Sequence, residues 1–263
     1  MRIALVSLDQ AWLDKEVNFK RCAEFAGLAS EQCCELVVFP EMTLTGYTLD
    51  IENAEPEQDS PALSKFGKMA QEFGLNIIFG ICLINKDTKR PQNAFCLAQR
   101  DATVRVLYYK IHPFSFAGED RALAAGNTLG YAQCGELRCG ASVCYDLRFP
   151  EMFAAMASHC DAMINIANWP ARRVEHWRAL LLARAIENQC FMIGVNRTGS
   201  DGNGLHYEKS SLIYSPDGKS VMPVIAGDEL DIYDIAPSAA TDYRATFPTV
   251  RDKRRDLYKG WFE

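Results

Sequence analysis

The chain lacks a long apolar run. Its longest, Ile77 to Ile84, spans about eight residues, against the roughly 20 that cross a bilayer. It also lacks the apolar stretch and cleavage site of a secretory leader, because Met1-Arg2-Ile3-Ala4-Leu5-Val6 runs directly into a strand-like segment. Both absences lead us to expect a cytoplasmic protein. No Cys-x-x-Cys pair occurs among the 10 cysteines, so zinc-ribbon and thioredoxin patterns are missing. The four histidines, His112, His159, His176 and His206, show no metal-ligand spacing, and we expect neither metal nor cofactor. Positive charge is in deficit: 28 Lys+Arg stand against 34 Asp+Glu, a net charge of -6. That balance argues against nucleic acid or an anionic membrane as partner. No repeat, linker or low-complexity tract appears, so one domain over residues 1–263 is expected.

What is present is ordinary in bulk: 48% hydrophobic and 24% charged residues. A chain of 263 residues can bury a core without staples. Ten cysteines without a leader read as reduced thiols, most of them small core residues.

Apolar strand patterns alternate with helical ones. Residues 3–8, 36–39, 76–84, 93–98, 104–109, 137–143, 162–166 and 191–196 read as strands, and segments near 211–214, 220–224 and 229–235 as late ones. Asp14 caps a helix whose apolar face is Phe19, Cys22, Ala23, Ala26 and Ala29. Ser60-Pro61 opens another, Pro150 a third running to about His159, and residues 174–188 form a fourth. Residues 110–130 have no period and read as a long loop, a feature that is often functional. Residues 251–263 mix basic side chains with Tyr258, Trp261 and Phe262, and are expected to dock on the body or on a second subunit. Strands and helices mixed over the whole length predict one layered α/β domain, with enough strands for two sheets packed face to face and helices outside.

Three reactive side chains lie just past predicted strand ends: Glu41, Lys110 and Cys144. That edge of an α/β sheet is where sites are usually built. Gly140 to Glu151 reads as strand, tight elbow and helix. Such an elbow exposes the Cys144 thiol and aims the following backbone N–H groups at the same spot. Alone, a cysteine there would be structural; as a nucleophile it needs a base or a cation nearby. Glu41 could supply the base, and is otherwise a cap or surface glutamate. Lys110 could lower the thiol's pKa and hold an oxyanion, and is otherwise a solvated strand-end lysine. Glu119 could orient Lys110 or shuttle protons. His112 is a rival base for a Cys-His dyad.

These motifs together resemble the nitrilase superfamily of carbon–nitrogen hydrolases. Val37-Val38-Phe39-Pro40-Glu41, Tyr109-Lys110-Ile111-His112-Pro113-Phe114 and Val143-Cys144-Tyr145-Asp146-Leu147-Arg148-Phe149-Pro150-Glu151 match that family's Glu-Lys-Cys triad in its chain order. Glu119 looks like the family's additional glutamate. Asn168-Trp169-Pro170, His176-Trp177, residues 183–189 and residues 196–204 resemble the omega-amidase branch. Pro113 stands where the family often has leucine, which puts the pocket wall near Phe114 and Phe116 in question.

The resemblance implies a four-layer α-β-β-α sandwich that pairs into homodimers or larger assemblies. It also implies metal-free thiol chemistry: Glu41 as base, Cys144 as nucleophile, Lys110 and the Tyr145 N–H as oxyanion donors, and a thioester intermediate. The implied substrate is a small monoamide of a 2-oxo-dicarboxylic acid, such as 2-oxoglutaramate. Its far carboxylate needs a cation, for which Arg148, Arg172 and Arg173 are candidates; Trp169 and Phe114 would wall the pocket. A deaminated-glutathione amidase and an N-carbamoyl amidase are alternatives within the family. A non-catalytic binding protein or a thiol redox protein are alternatives outside it. The redox alternative is weak, because Cys139 lies about 16 Å from Cys144 along an extended strand and on its opposite face.

Overall fold

The computed structural model describes residues 1–261, with Arg255 described by its backbone only. The elements used below are β1 (Arg2–Val6), α1 (Lys15–Glu31), β2 (Leu36–Val38), α2 (Pro61–Phe73), β3 (Asn76–Ile84), β4 (Pro91–Ala98), β5 (Val104–Tyr109), β6 (Gly130–Cys134) and β7 (Leu137–Val143). They continue with α3 (Pro150–Met156), β8 (Ala162–Ala167), α4 (Val174–Asn188), β9 (Phe191–Asn196), β10 (Leu212–Tyr214), β11 (Ser220–Val221), β12 (Ile225–Ala226), β13 (Leu230–Asp234) and α5 (Ala239–Thr246).

The first sheet runs β12-β13-β1-β2-β3-β4-β5, with the two-residue strand Glu55–Pro56 added on β3. The second runs β11-β10-β9-β8-β7-β6. Each has a parallel centre, β1-β2-β3 in one and β7-β8-β9 in the other, extended by antiparallel strands. Parity along the strands sorts their side chains into layers. Ile3, Leu5, Leu36, Val38 and Ile78 face the second sheet, in one core with Val143, Ile164 and Ile193. Their neighbours Ala4, Val6, Val37, Phe39, Ile77 and Phe79 face outward, onto Cys22, Ala26 and Ala29 of α1 and Phe66, Met69 and Ala70 of α2. Phe153 and Met156 of α3 and Trp177, Leu181 and Ala185 of α4 cover the second sheet. The result is the four-layer α-β-β-α sandwich.

Helix ends follow the local signals. The Asp14 carboxylate accepts from the Val17 N–H at 3.0 Å, and the Ser60 hydroxyl from the Leu63 N–H at 3.1 Å with Pro61 at the first helical position. The differences are in segments without a period. The predicted loop over 110–130 holds a one-turn helix, Glu119–Ala122, and opens into β6, which pairs with β7. The helix from Pro150 stops at Met156, and α5 was not expected. The tail of residues 251–263 touches the body at its start, where Lys253 Nζ donates to Asn188 Oδ1 at 3.1 Å; beyond it Leu257, Tyr258 and Trp261 are 42%, 37% and 70% exposed, and Phe262 lies outside the described residues. Among the described residues no helix is long and apolar enough to cross a membrane.

Candidate active site

Three strand ends of the two sheets converge. The chain leaving β2 passes Phe39 and Pro40 to Glu41, the chain leaving β5 is at once at Lys110, and the chain leaving β7 is at Cys144. Glu41, Lys110 and Glu119 are fully buried, a placement ionised groups tolerate only when paired. The Lys110 Nζ donates to Glu41 Oε1 at 3.0 Å and to Glu119 Oε2 and Oε1 at 2.8 and 3.1 Å. Glu119 Oε2 also accepts from the Phe114 N–H at 2.6 Å and from the Tyr47 hydroxyl at 3.3 Å. Glu41 Oε2 accepts from the Asn168 N–H at 2.9 Å. Asn93 Nδ2 reaches both carboxylates, Glu41 Oε1 at 2.7 Å and Glu119 Oε1 at 3.1 Å.

The backbone at two of these ends is unusual. Cys144 and Met42, the residue after Glu41, both have φ of 44°, a left-handed conformation that side-chain-bearing residues seldom adopt. Such strain persists where surroundings over-determine it. At Cys144 the surroundings are Asp146. Its buried carboxylate accepts from the Val143 N–H and Tyr108 hydroxyl through Oδ2, both at 2.8 Å, and from the His112 N–H at 3.1 Å through Oδ1. The elbow is thereby tied to the chain that follows Lys110. At Glu41 it is Gly80 of β3. A Cβ there would come within 2.6 Å of the Met42 N and 2.8 Å of the Glu41 Cα, so the turn nests on β3 only because position 80 has no side chain.

His112 does not line the cavity on which Cys144 opens: its Nδ1 bonds Asp146 Oδ1 at 2.8 Å and its ring stacks on Phe149 at 3.8 Å. Lys110 draws the pKa of the thiol down, as expected, but other groups outweigh it. Burial, and then the charge of Glu41, push Cys144 well above its ordinary range; Lys110 pulls downward but is outweighed, and Glu119 adds to the rise. For Lys110 burial alone would favour the neutral amine, but Glu119 and Glu41 hold the ammonium well above the usual lysine range.

Cys144 is half-buried at the base of a cavity of about 150 Å³, with Lys110 and Tyr145 beside it. Tyr47, Phe114, Trp169 and Tyr207 form its walls, and Phe116, Arg148, Arg172 and Arg173 its mouth. Every residue predicted for binding lines this one cavity. Trp169 is wall and core together: it lies 5.4 Å from Trp177, and its indole N–H donates to the Arg173 C=O at 2.7 Å. The Arg148 guanidinium lies over the Trp169 ring at 4.8 Å and that of Arg173 over Phe114 at 5.8 Å. Among the described residues no carboxylate pairs with Arg148, Arg172 or Arg173. Burial, and then the neighbouring Arg172, lower the pKa of Arg173. Among the described residues the mouth is a cation cluster without a counter-ion.

Sequence reasoning did not single out Tyr47, Asn93, Tyr207 or Gly80. Tyr207 is held by Asp201 Oδ2 at 2.8 Å and lies over the Arg197 guanidinium at 4.7 Å. The run from Asn196 to Gly204, seen only as a branch resemblance, was its nearest signal.

The sequence model for carbon–nitrogen hydrolases matches residues 2–245. The chain is 32% identical over 263 residues to the omega-amidase YafV of Escherichia coli (strain K12), covering 99% of each. It is 30% identical over 258 residues to the 2-oxoglutaramate amidase of Bacillus subtilis (strain 168), covering 97% of this chain and 98% of that one. Its structure is similar to that of XC1258 from Xanthomonas campestris, a CN-hydrolase superfamily protein with an arsenic adduct in the active site. The TM-score is 0.88 at 30% identity, over 96% of this chain and 97% of that one.

Proposed function

This chain belongs to the carbon–nitrogen hydrolase family, an amidase of the nitrilase superfamily acting on carbon–nitrogen bonds other than peptide bonds, and from that premise we propose a specific reaction. The protein hydrolyses the terminal amide of a small 2-oxo-dicarboxylic acid monoamide, such as 2-oxoglutaramate, through a Cys144 thioester. The observation that carries the reading is the buried Glu41–Lys110–Glu119 cluster beside Cys144, beneath a mouth of three arginines without carboxylate partners.

The chemistry follows from the geometry. Burial and the charge of Glu41 raise the pKa of the thiol, so attack needs a base at the moment it occurs. Glu41 Oε1 is occupied by Lys110 and Asn93, whereas Oε2 accepts one bond and keeps a lone pair for the thiol proton. As sulfur bonds to the amide carbon, the carbonyl oxygen becomes an oxyanion held by Lys110 and the Tyr145 N–H. Glu41 then returns the proton to the leaving nitrogen, and ammonia departs. Glu41 next takes a proton from water, which attacks the thioester and frees the acid and the thiol. Arg148, Arg172 and Arg173 receive the substrate's far carboxylate, and the aromatic walls admit its short carbon chain.

The test is ammonia release from 2-oxoglutaramate, with Cys144→Ala as the blank. Release that disappears in the variant is the expected result. Release that persists sinks Cys144 as nucleophile. No release from the wild type sinks the substrate class, and deaminated glutathione and N-carbamoyl compounds are then assayed.

A further inference from the structure

Asn93 takes no step in the reaction above, yet it touches both carboxylates. It lies on β4, 1% exposed, and its C=O accepts from the Lys110 N–H at 2.8 Å. Its side-chain Nδ2 donates to Glu41 Oε1 and Glu119 Oε1. The Oδ1 of the same amide is buried and finds no donor among the described residues. A buried amide oxygen without a partner is a cost that an apolar side chain of similar size would avoid. Turning the amide over would set Oδ1 against two carboxylate oxygens. The carboxylates therefore fix the amide's orientation, and the orphaned oxygen is what that orientation leaves behind.

Two neighbouring buried carboxylates tend to share a proton, and hydrogen bonds to the ionised form oppose this. Lys110 supplies one positive charge for two negative ones. A second cation would weaken Glu41 as a base, whereas a neutral NH2 bonds one oxygen of each carboxylate and adds no charge. The geometry points to Asn93 as a positioning residue: it holds Glu41 Oε1, which leaves Oε2 to act as the base, and it keeps Glu119 and Glu41 from sharing a proton. This rests on the reading of Glu41 as the base toward Cys144. The titratable groups that bear on Glu41 are Lys110, Glu119, Cys144 and Tyr47.

The test reads the base–thiol pair without any amide substrate. Alkylation of Cys144 by iodoacetamide is followed against pH in the full-length protein, with the labelled cysteine identified by mass spectrometry because Cys33 is exposed and competes for the reagent. Asn93→Leu removes the donor, and Asn93→Asp keeps the shape while adding a third carboxyl. In both variants, alkylation near neutral pH should slow by roughly tenfold or more, and the acid limb of the profile should move to higher pH. With 2-oxoglutaramate, kcat should fall while KM stays within about twofold. If Asn93→Leu fails to fold, the near-isosteric Asn93→Asp carries the test. A lowered melting temperature with the wild-type alkylation profile would overturn the assignment, leaving Asn93 a packing residue. A wild-type Cys144 inert across the whole pH range would overturn the thiol reading itself, and this inference with it.

Discussion

The parallel strands β7 and β8 carry an ion cluster at each end. At their starts, Asp161 accepts from Arg138 Nε and Nη2 at 2.7 and 2.6 Å, with Arg244 Nη1 3.6 Å away. At their other ends, Cys144 and Asn168 meet Lys110 between Glu41 and Glu119. The first cluster has two cations for one carboxylate, and the Arg138 side chain is 46% exposed. The second has one cation for two carboxylates, and Glu41, Lys110 and Glu119 are each at most 1% exposed. Water can stand in for a lost partner in the first. In the second it cannot, so each charge depends wholly on the protein groups around it. The same kind of contact is a surface clamp at one end and a buried cluster beside the cavity at the other.

The largest effect should come from removing the buried cation. Lys110→Met leaves two carboxylates facing one another without a counter-charge. Turnover should fall by on the order of 10³-fold, and urea unfolding should show a loss of about 3–5 kcal/mol. A variant retaining a tenth of wild-type turnover would show the buried cluster to be merely structural, like the exposed one. Gly80→Ala acts on the same cluster from behind by crowding the turn that carries Glu41. We expect kcat to fall on the order of 10²-fold with KM little changed; wild-type kinetics would mean the turn adjusts freely.

A smaller effect concerns acid. Burial alone would raise the Glu119 pKa, but the Lys110 charge and the bonds from Lys110, Phe114 and Asn93 hold it below the usual carboxylate range. A depressed carboxylate contributes stability above its unfolded value, near 4.5, and that contribution is lost as pH falls through the lower folded value. The wild-type melting temperature should therefore drop on acidification below about pH 4.5. Glu119→Gln should start lower at pH 7 and lose less across that window; equal slopes would contradict the assignment. The smallest effect belongs to the open end. Arg138→Met should cost less than about 1 kcal/mol and leave turnover within twofold of wild type. A loss beyond this would erase the contrast between the two ends.

Much of the fold was legible in the chain itself. The short apolar runs over residues 3–6 and 36–39 read as buried strands, and the helix caps Asp14 and Ser60 act within their own first turns. These signals are local, so they survive without knowledge of what packs above. The unexpected β6 and α5 are stabilised by what they pair with. Gly130 to Cys134 carries little pattern of its own and becomes a strand against β7. In the site, Glu41, Lys110, Cys144 and Glu119 were legible because each stands at a marked place in the chain. Asn93 was not, since an asparagine near a strand start looks alike whether it faces water or two carboxylates.

The sequence by itself determined which side chains stand at strand ends and where helices begin, because those properties depend on neighbours a few residues away. Tertiary structure alone decided what each group meets. It turned His112 to Asp146 rather than to the thiol, and set Asn93 between carboxylates 52 and 26 residues away. It also surrounded Cys144 with burial and negative charge that raise its pKa despite the lysine beside it. Strand order and sheet stacking fix those partners, and a periodic pattern specifies a face without specifying what lies across from it.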